Sequence, residues 1–142
     1  MNEPQLIQQI LETTKIIAVV GLSDNPAKAS HGVSKFMQSR GYRIVPVNPA
    51  IESALGEKSY PSLEEAVVAL AAEGMKVDLV NIFRLPQHLP PIIDDVIRLN
   101  LSAIWIQEGI VNEEAAAKAE AHGVKVVMDR CILKDRMAAG WQ

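Results

Sequence analysis

One cysteine, Cys131, is the whole thiol content of this 142-residue chain. No intrachain disulfide can form, and a secreted scaffold held by disulfides is excluded. Histidine is nearly as sparse. The three histidines are scattered, and neither they nor the cysteine fall at a ligand spacing such as H-x-x-x-H or C-x-x-C, so no metal site is expected. A large excess of one charge is missing too. A formal net charge of −3 gives no reason to expect a nucleic-acid or membrane partner, and any anion site must be a local cluster. No apolar run approaches membrane-spanning length. The N-terminal MNEPQLIQQILETTK has no basic segment ahead of a long apolar run, so it does not read as a signal peptide, and a cytoplasmic location is the default expectation. Low-complexity tracts, repeats and interdomain linkers are also lacking. With 49% hydrophobic residues, the chain reads as one folded domain over residues 1–142.

Short apolar runs alternate with amphipathic stretches. Residues 15–21, 42–47, 77–83, 102–107 and 124–128 read as strands rich in β-branched residues, and 56–60 as a short edge strand. Helices are expected between them. One covers Pro4 to Thr13, one carries Val33, Phe36 and Met37 up to Gly41, and one opens at Ser62 with Glu65 completing a capping box. Another begins near Pro90 and Pro91 with Ile93, Val96 and Ile97 facing inward, and the last is capped by Asn112 and ends at Gly123. Strict alternation implies an α/β fold: a three-layer, doubly wound, mostly parallel sheet of Rossmann-like type. The expected order is 3-2-1-4-5-6, with residues 56–60 as the third strand.

In such sheets ligands bind beyond the carboxyl ends of the strands, where the order reverses. That rule selects five loops: 21–30, 48–53, 84–88, 108–111 and 129–131. It places the first beside the third. The first loop carries most information. Gly21 directly after a strand allows a tight turn and close backbone approach. Ser30 is expected to cap the next helix, whose free N–H groups would attract a phosphate, and Lys28 could add charge. A dinucleotide fingerprint G-x-G-x-x-G would need glycine where Ser23 and Pro26 stand, and an acid where Val47-Asn48-Pro49 follows the second strand. Both departures turn the reading from NAD toward another phosphate-bearing adenine cofactor. Arg84, beside the first loop, either contacts a phosphate or stands solvated. Pro86 stiffens that loop.

These segments together resemble the CoA-binding domain family, whose fold is shared with the N-terminal domain of the succinyl-CoA synthetase alpha subunit. The resemblance runs from about Lys15 to about Cys131 and rests on VVGLSDNPAKASHGV, YRIVPVNP, LGEKSYPSL, VNIFRLPQHLP, IWIQEGIVNEEAA and VVMDRC. It is closest to a bacterial branch made of this domain alone. It implies that coenzyme A or acyl-CoA is the ligand. Gly21, Ser23, Asn25, Lys28 and Ser30 would face the diphosphate, and Val47, Asn48 and Pro49 would border the adenosine. Phe83, Arg84 and Pro86 would wall the pantetheine arm, with Gln107, Glu108 and Gly109 near its outer end. Ala27 and Ala29 stand where the family usually has basic or proline residues, which implies reduced phosphate affinity. The synthetase's phosphohistidine and nucleotide-binding parts have no counterpart in these segments, which implies binding without catalysis and no catalytic residue.

Other chemistries were weighed. Gly21-Leu22-Ser23 is half of a G-x-S-x-G elbow, with Asp24 and His31 near, but Asn25 replaces its last glycine. Glu108 reads as a solvated loop residue or cap rather than a general base. Cys131 reads as a semi-buried small hydrophobe, against a mixed disulfide with CoA or an acyl acceptor. His122 falls on the opposite edge, and Trp141 lies in a tail without an assigned role. A small enzyme acting on CoA thioesters and an NAD(P)-binding Rossmann domain remain as alternatives.

Overall fold

The computed structural model describes residues 3–140. Five parallel strands form the central sheet: β1 (Ile16–Val20), β2 (Arg43–Val47), β5 (Leu79–Ile82), β6 (Ala103–Gln107) and β7 (Lys125–Arg130). Their spatial order is β2-β1-β5-β6-β7. The other two strands, β3 (Ser53–Ala54) and β4 (Glu57–Lys58), pair only with each other. Among the described residues there are six α-helices, α1 (Glu3–Thr13), α2 (Ala29–Ser39), α3 (Leu63–Ala72), α4 (Leu89–Arg98), α5 (Glu113–Ala121) and α6 (Ile132–Ala139), and a 3-10 turn at Pro86–His88. No helix among the described residues is long and apolar enough to cross a membrane.

The period-2 alternation of β1 builds the three layers. Ile16, Ala18 and Val20 pack with Leu63 and Leu70 of α3, Ile93 and Val96 of α4, and Ala119 of α5. Ile17 and Val19 point the other way, to Ile10 and Leu11 of α1, Val33 and Met37 of α2, and Ile132 of α6. All five β1 residues are buried, so the apolar run has no polar face to give up. The expected caps hold α3 and α5: the Ser62 hydroxyl accepts from the Glu65 N–H at 3.1 Å and Asn112 Oδ1 from the Ala115 N–H at 3.0 Å.

Two expectations need correction, on residues 56–60 and on Ser30. Residues 56–60 do not form a sixth strand of the main sheet. Only Tyr60 reaches β2: its N–H donates to the Pro46 carbonyl at 3.0 Å and its carbonyl accepts from Asn48 N–H at 2.9 Å. Pro46 turns outward on this edge and has no N–H to offer a longer partner. Glu57 and Lys58 instead fold back onto Ser53 and Ala54 through Leu55 and Gly56, both at positive φ, as a tight hairpin requires. Ser30 does not cap α2. Lys28 occupies the cap position without a side-chain bond, and Ser30 lies inside the first turn. The tail after Cys131 is helical through Ala139, and Trp141 lies outside the described residues. Ile97 is partly buried and packs against the same core as Ile93 and Val96, on the inward face expected for it.

Candidate functional site

The loop after β1 is cross-linked to itself. The Ser23 N–H donates to the Ser30 hydroxyl at 3.0 Å, which explains why that serine sits within α2 and not at its cap. The Asn25 N–H donates to the Ser23 hydroxyl and the Ala27 N–H to Asn25 Oδ1, each at 3.0 Å. His31 donates from Nδ1 to the Ser23 carbonyl at 2.9 Å. The ring therefore turns to the carbonyl, not the hydroxyl, and a serine–histidine pair is not formed. Asn25 and Lys28 are exposed. The His31 and Gly32 N–H groups both donate to the Lys28 carbonyl, and the first N–H groups of α2 before them have no intrahelical acceptor.

Two neighbours fix where this loop lies. Asn48 Nδ2 donates to the Leu22 carbonyl at 2.9 Å, while its Oδ1 accepts from the Ala50 N–H at 2.9 Å. The residue in the ribose-binding position of dinucleotide folds is thus spent on joining two loops. On the other side, Gly21 has φ +88°, and a Cβ there would stand 2.4 Å from the Phe83 carbonyl oxygen. The Phe83 N–H closes the approach by donating to the Val20 carbonyl at 2.9 Å. The loops after β1 and β5 meet as the strand-order rule expects.

Over this junction the edge is hollowed. A cavity of about 430 Å³ is lined by Val33, Phe83, Arg84, Gln107, Glu108 and Cys131, among others. A smaller one, about 280 Å³, is bordered by Val47, Pro49, Ser62 and Arg84. Arg84 and His88 border both. Arg84 is half-buried, and its guanidinium has no ion pair or hydrogen bond among the described residues. Two other cations near this edge are committed. Arg130 grips Asp135 with two bonds of 2.7 Å, which pushes its pKa up. Lys134 Nζ lies 3.0 Å from Glu108 Oε1, and that hydrogen bond raises the ammonium's pKa. A third depression, about 400 Å³ between α1 and α6, contains none of the expected residues.

The expected residues therefore divide. Phe83, Arg84, Gln107 and Glu108 line the larger cavity, and Val47, Pro49 and Arg84 the smaller. Gly21, Ser23, Ser30 and Asn48 shape the loops beneath. Asn25, Lys28, Pro86 and Gly109 line neither cavity; Pro86 accepts from Asn112 Nδ2 at 3.1 Å and Gly109 donates to Asp129 Oδ1 at 2.8 Å. His88 was missed, although it falls in a selected loop. Cys131 was read as packing; it is buried and lines the larger cavity as well. No group of three or more histidine, cysteine or acidic side chains among the described residues could hold a metal ion.

A family model described as CoA binding domain matches residues 15–137. YneT of Bacillus subtilis (strain 168) is 45% identical over 126 residues, which cover 89% of this chain and 88% of YneT. Among solved structures, a Pyrococcus horikoshii OT3 protein is similar with a TM-score of 0.85 and 31% identity, over 96% of this chain and 92% of that one. The structure of cell-free ID.343 from Thermus thermophilus is similar with a TM-score of 0.84 and 29% identity, over 97% and 98%.

Proposed function

Because the chain belongs to the CoA-binding domain family, we propose that it binds coenzyme A or acyl-CoA in the cleft over the carboxyl ends of β2, β1, β5 and β6, without turning the ligand over. The observation that carries this reading is Arg84: a half-buried residue whose guanidinium has no partner among the described residues and which borders both cavities. A cation left unpaired between two hollows suits a phosphate bridging them. In this reading Gly21, Ser23, Asn25, Lys28 and Ser30 face the diphosphate from the loop after β1. Val47, Asn48 and Pro49 border the adenosine in the smaller cavity. Phe83, Arg84 and Pro86 wall the pantetheine arm in the larger one, which ends at Gln107, Glu108 and Gly109.

One feature supports CoA over NAD, and a second supports binding over catalysis. No carboxylate follows β2, and the Asn48 side chain that stands there is held by the Leu22 carbonyl and the Ala50 N–H rather than turned out as a ribose-binding acid. Glu108 is salt-bridged to Lys134 at 3.0 Å rather than standing free beside a reacting centre, which favours binding over general-base chemistry. Isothermal titration with CoA, acetyl-CoA, NAD and ATP tests the reading. CoA or acetyl-CoA should bind at least tenfold more tightly than NAD or ATP; equal affinities would sink it. An acyl-CoA panel should show no turnover, and hydrolysis or transfer would replace binding with catalysis.

A further inference from the structure

The larger cavity is lined by two groups with chemistry still unassigned. The first is an amide. Gln107 is only 6% exposed, and its Oε1 accepts from Asn81 Nδ2 at 3.3 Å and from the Ile132 N–H at 3.4 Å. Both neighbours are donors: Asn81 Nδ2 also donates to the Trp105 carbonyl at 3.1 Å, and a backbone N–H can do nothing else. The orientation of the Gln107 amide is therefore fixed with its oxygen inward. Its Nε2 has no partner among the described residues, and the side chain lines the cavity. Facing the cavity from an otherwise buried side chain, that N–H pair is free for a ligand oxygen.

The second group is the Cys131 thiol, in the wall of the same cavity and at the cap position of α6, where its side chain makes no capping hydrogen bond.

The sheet itself supplies a ruler. Successive strands lie about 4.8 Å apart, so the edge from β1 past β5 and β6 to β7 measures three steps, about 14 Å. The pantetheine arm has about twelve bonds between its phosphate oxygen and its sulfur, and at about 1.2 Å of advance per bond it also spans about 14 Å. With the diphosphate at the β1 loop, an amide carbonyl of the arm falls opposite Gln107 and the sulfur opposite Cys131.

We propose that Cys131 is a site of reversible thiol–disulfide exchange with a pantetheine-type disulfide such as CoA disulfide, the arm being located by Gln107 Nε2. The proposal rests on the CoA-binding reading above. In the step, the Cys131 thiolate attacks one sulfur of the disulfide; a Cys131 Sγ–S bond forms, the original S–S bond breaks, and the departing CoA thiolate takes up the proton that Cys131 gave up. No outside oxidant is needed, and a free thiol reverses the reaction.

The test is intact-mass spectrometry of the full chain, unreduced, during incubation with CoA disulfide or with glutathione disulfide at equal concentration. Cys131 is the only cysteine, so one adduct identifies the site. The CoA adduct should form at least tenfold faster than the glutathione adduct, and excess acetyl-CoA, which has no thiol, should suppress it. Equal rates with both disulfides, or no suppression, would overturn the proposal. So would absence of the adduct in a protein whose reduced form binds CoA in the titration, and that result would leave the binding reading intact. Failure of the titration itself would remove the binding reading and the exchange with it.

Discussion

The Phe83 carbonyl oxygen lies 2.4 Å from where a Cβ on Gly21 would be. Backbone meets backbone there, so no rotamer can relieve the contact, and φ +88° at Gly21 adds strain for any other residue. Gly21→Ala should destabilise the fold by about 2–4 kcal/mol and open the cleft where the loops after β1 and β5 touch. Gly32 offers the contrast: it lies in α2 with nothing within 4 Å of an added Cβ. Gly32→Ala should stabilise by about 0.5–1 kcal/mol. Urea denaturation of both variants decides the matter; a harmless Gly21→Ala would mean that the close approach is not needed.

Arg84 carries the binding proposal. With no partner among the described residues, Arg84→Ala should leave unfolding free energy within about 0.5 kcal/mol. Loss of a charge-assisted hydrogen bond of about 1.5–3 kcal/mol should weaken CoA roughly tenfold to a hundredfold. The salt dependence of binding should flatten at the same time. Calorimetric titration at two ionic strengths checks both effects, and wild-type affinity in the variant would move the phosphate elsewhere.

Much of this site was legible because it depends on patterns with a period. The β-branched runs mark β1, β2, β5, β6 and β7, and the order reversal alone implies that Gly21 lies beside Phe83. Ser62 and Asn112 announced their helices because a capping side chain leaves a local signal. The remainder rests on contacts without one. Two-residue strands such as Ser53–Ala54 have no alternation to detect, and what kept 56–60 from the main sheet was the missing N–H of Pro46. Helix α6 buries Ile132 and Arg136, so its inner face mixes an apolar and a charged residue and shows no stripe. Cys131 reaches the cavity because the β6–β7 register shifts after Ile106 while Asp129 takes φ +61°. Neither irregularity is written in composition.

Asn48 tests whether the loop junction is structural. Its amide is the donor to the buried Leu22 carbonyl at 2.9 Å, so Asn48→Ala should cost about 1–3 kcal/mol by leaving that oxygen unpaired. Asn48→Asp restores the acid that dinucleotide folds carry after their second strand, yet it removes the same donor and sets a carboxylate against a carbonyl. Destabilisation without any gain of NAD binding is the expected outcome, read by urea melts and NAD titration. Measurable NAD affinity in the Asp variant would show that only the missing acid separates this cleft from a dinucleotide site.

Tyr42 offers a test by pH. Its hydroxyl donates to the Leu11 carbonyl at 2.7 Å and ties β2 to α1. Burial raises its pKa above the ordinary 10.0, with Arg136 pulling it partly back. The folded chain thus holds the phenol proton more tightly than the unfolded one. Below about pH 10 both states are protonated and the contribution is complete. Above it the unfolded chain ionises first, and stability falls until the folded tyrosine has also titrated. Tyr42→Phe lacks the group. It should be less stable than wild type by about 1 kcal/mol at pH 8, and the gap should shrink as pH rises past 10, because every other titration is common to both chains. Paired urea melts between pH 8 and 11 measure the gap. A constant difference across that range would mean that the Tyr42 proton is held no more tightly in the folded chain than in the unfolded one.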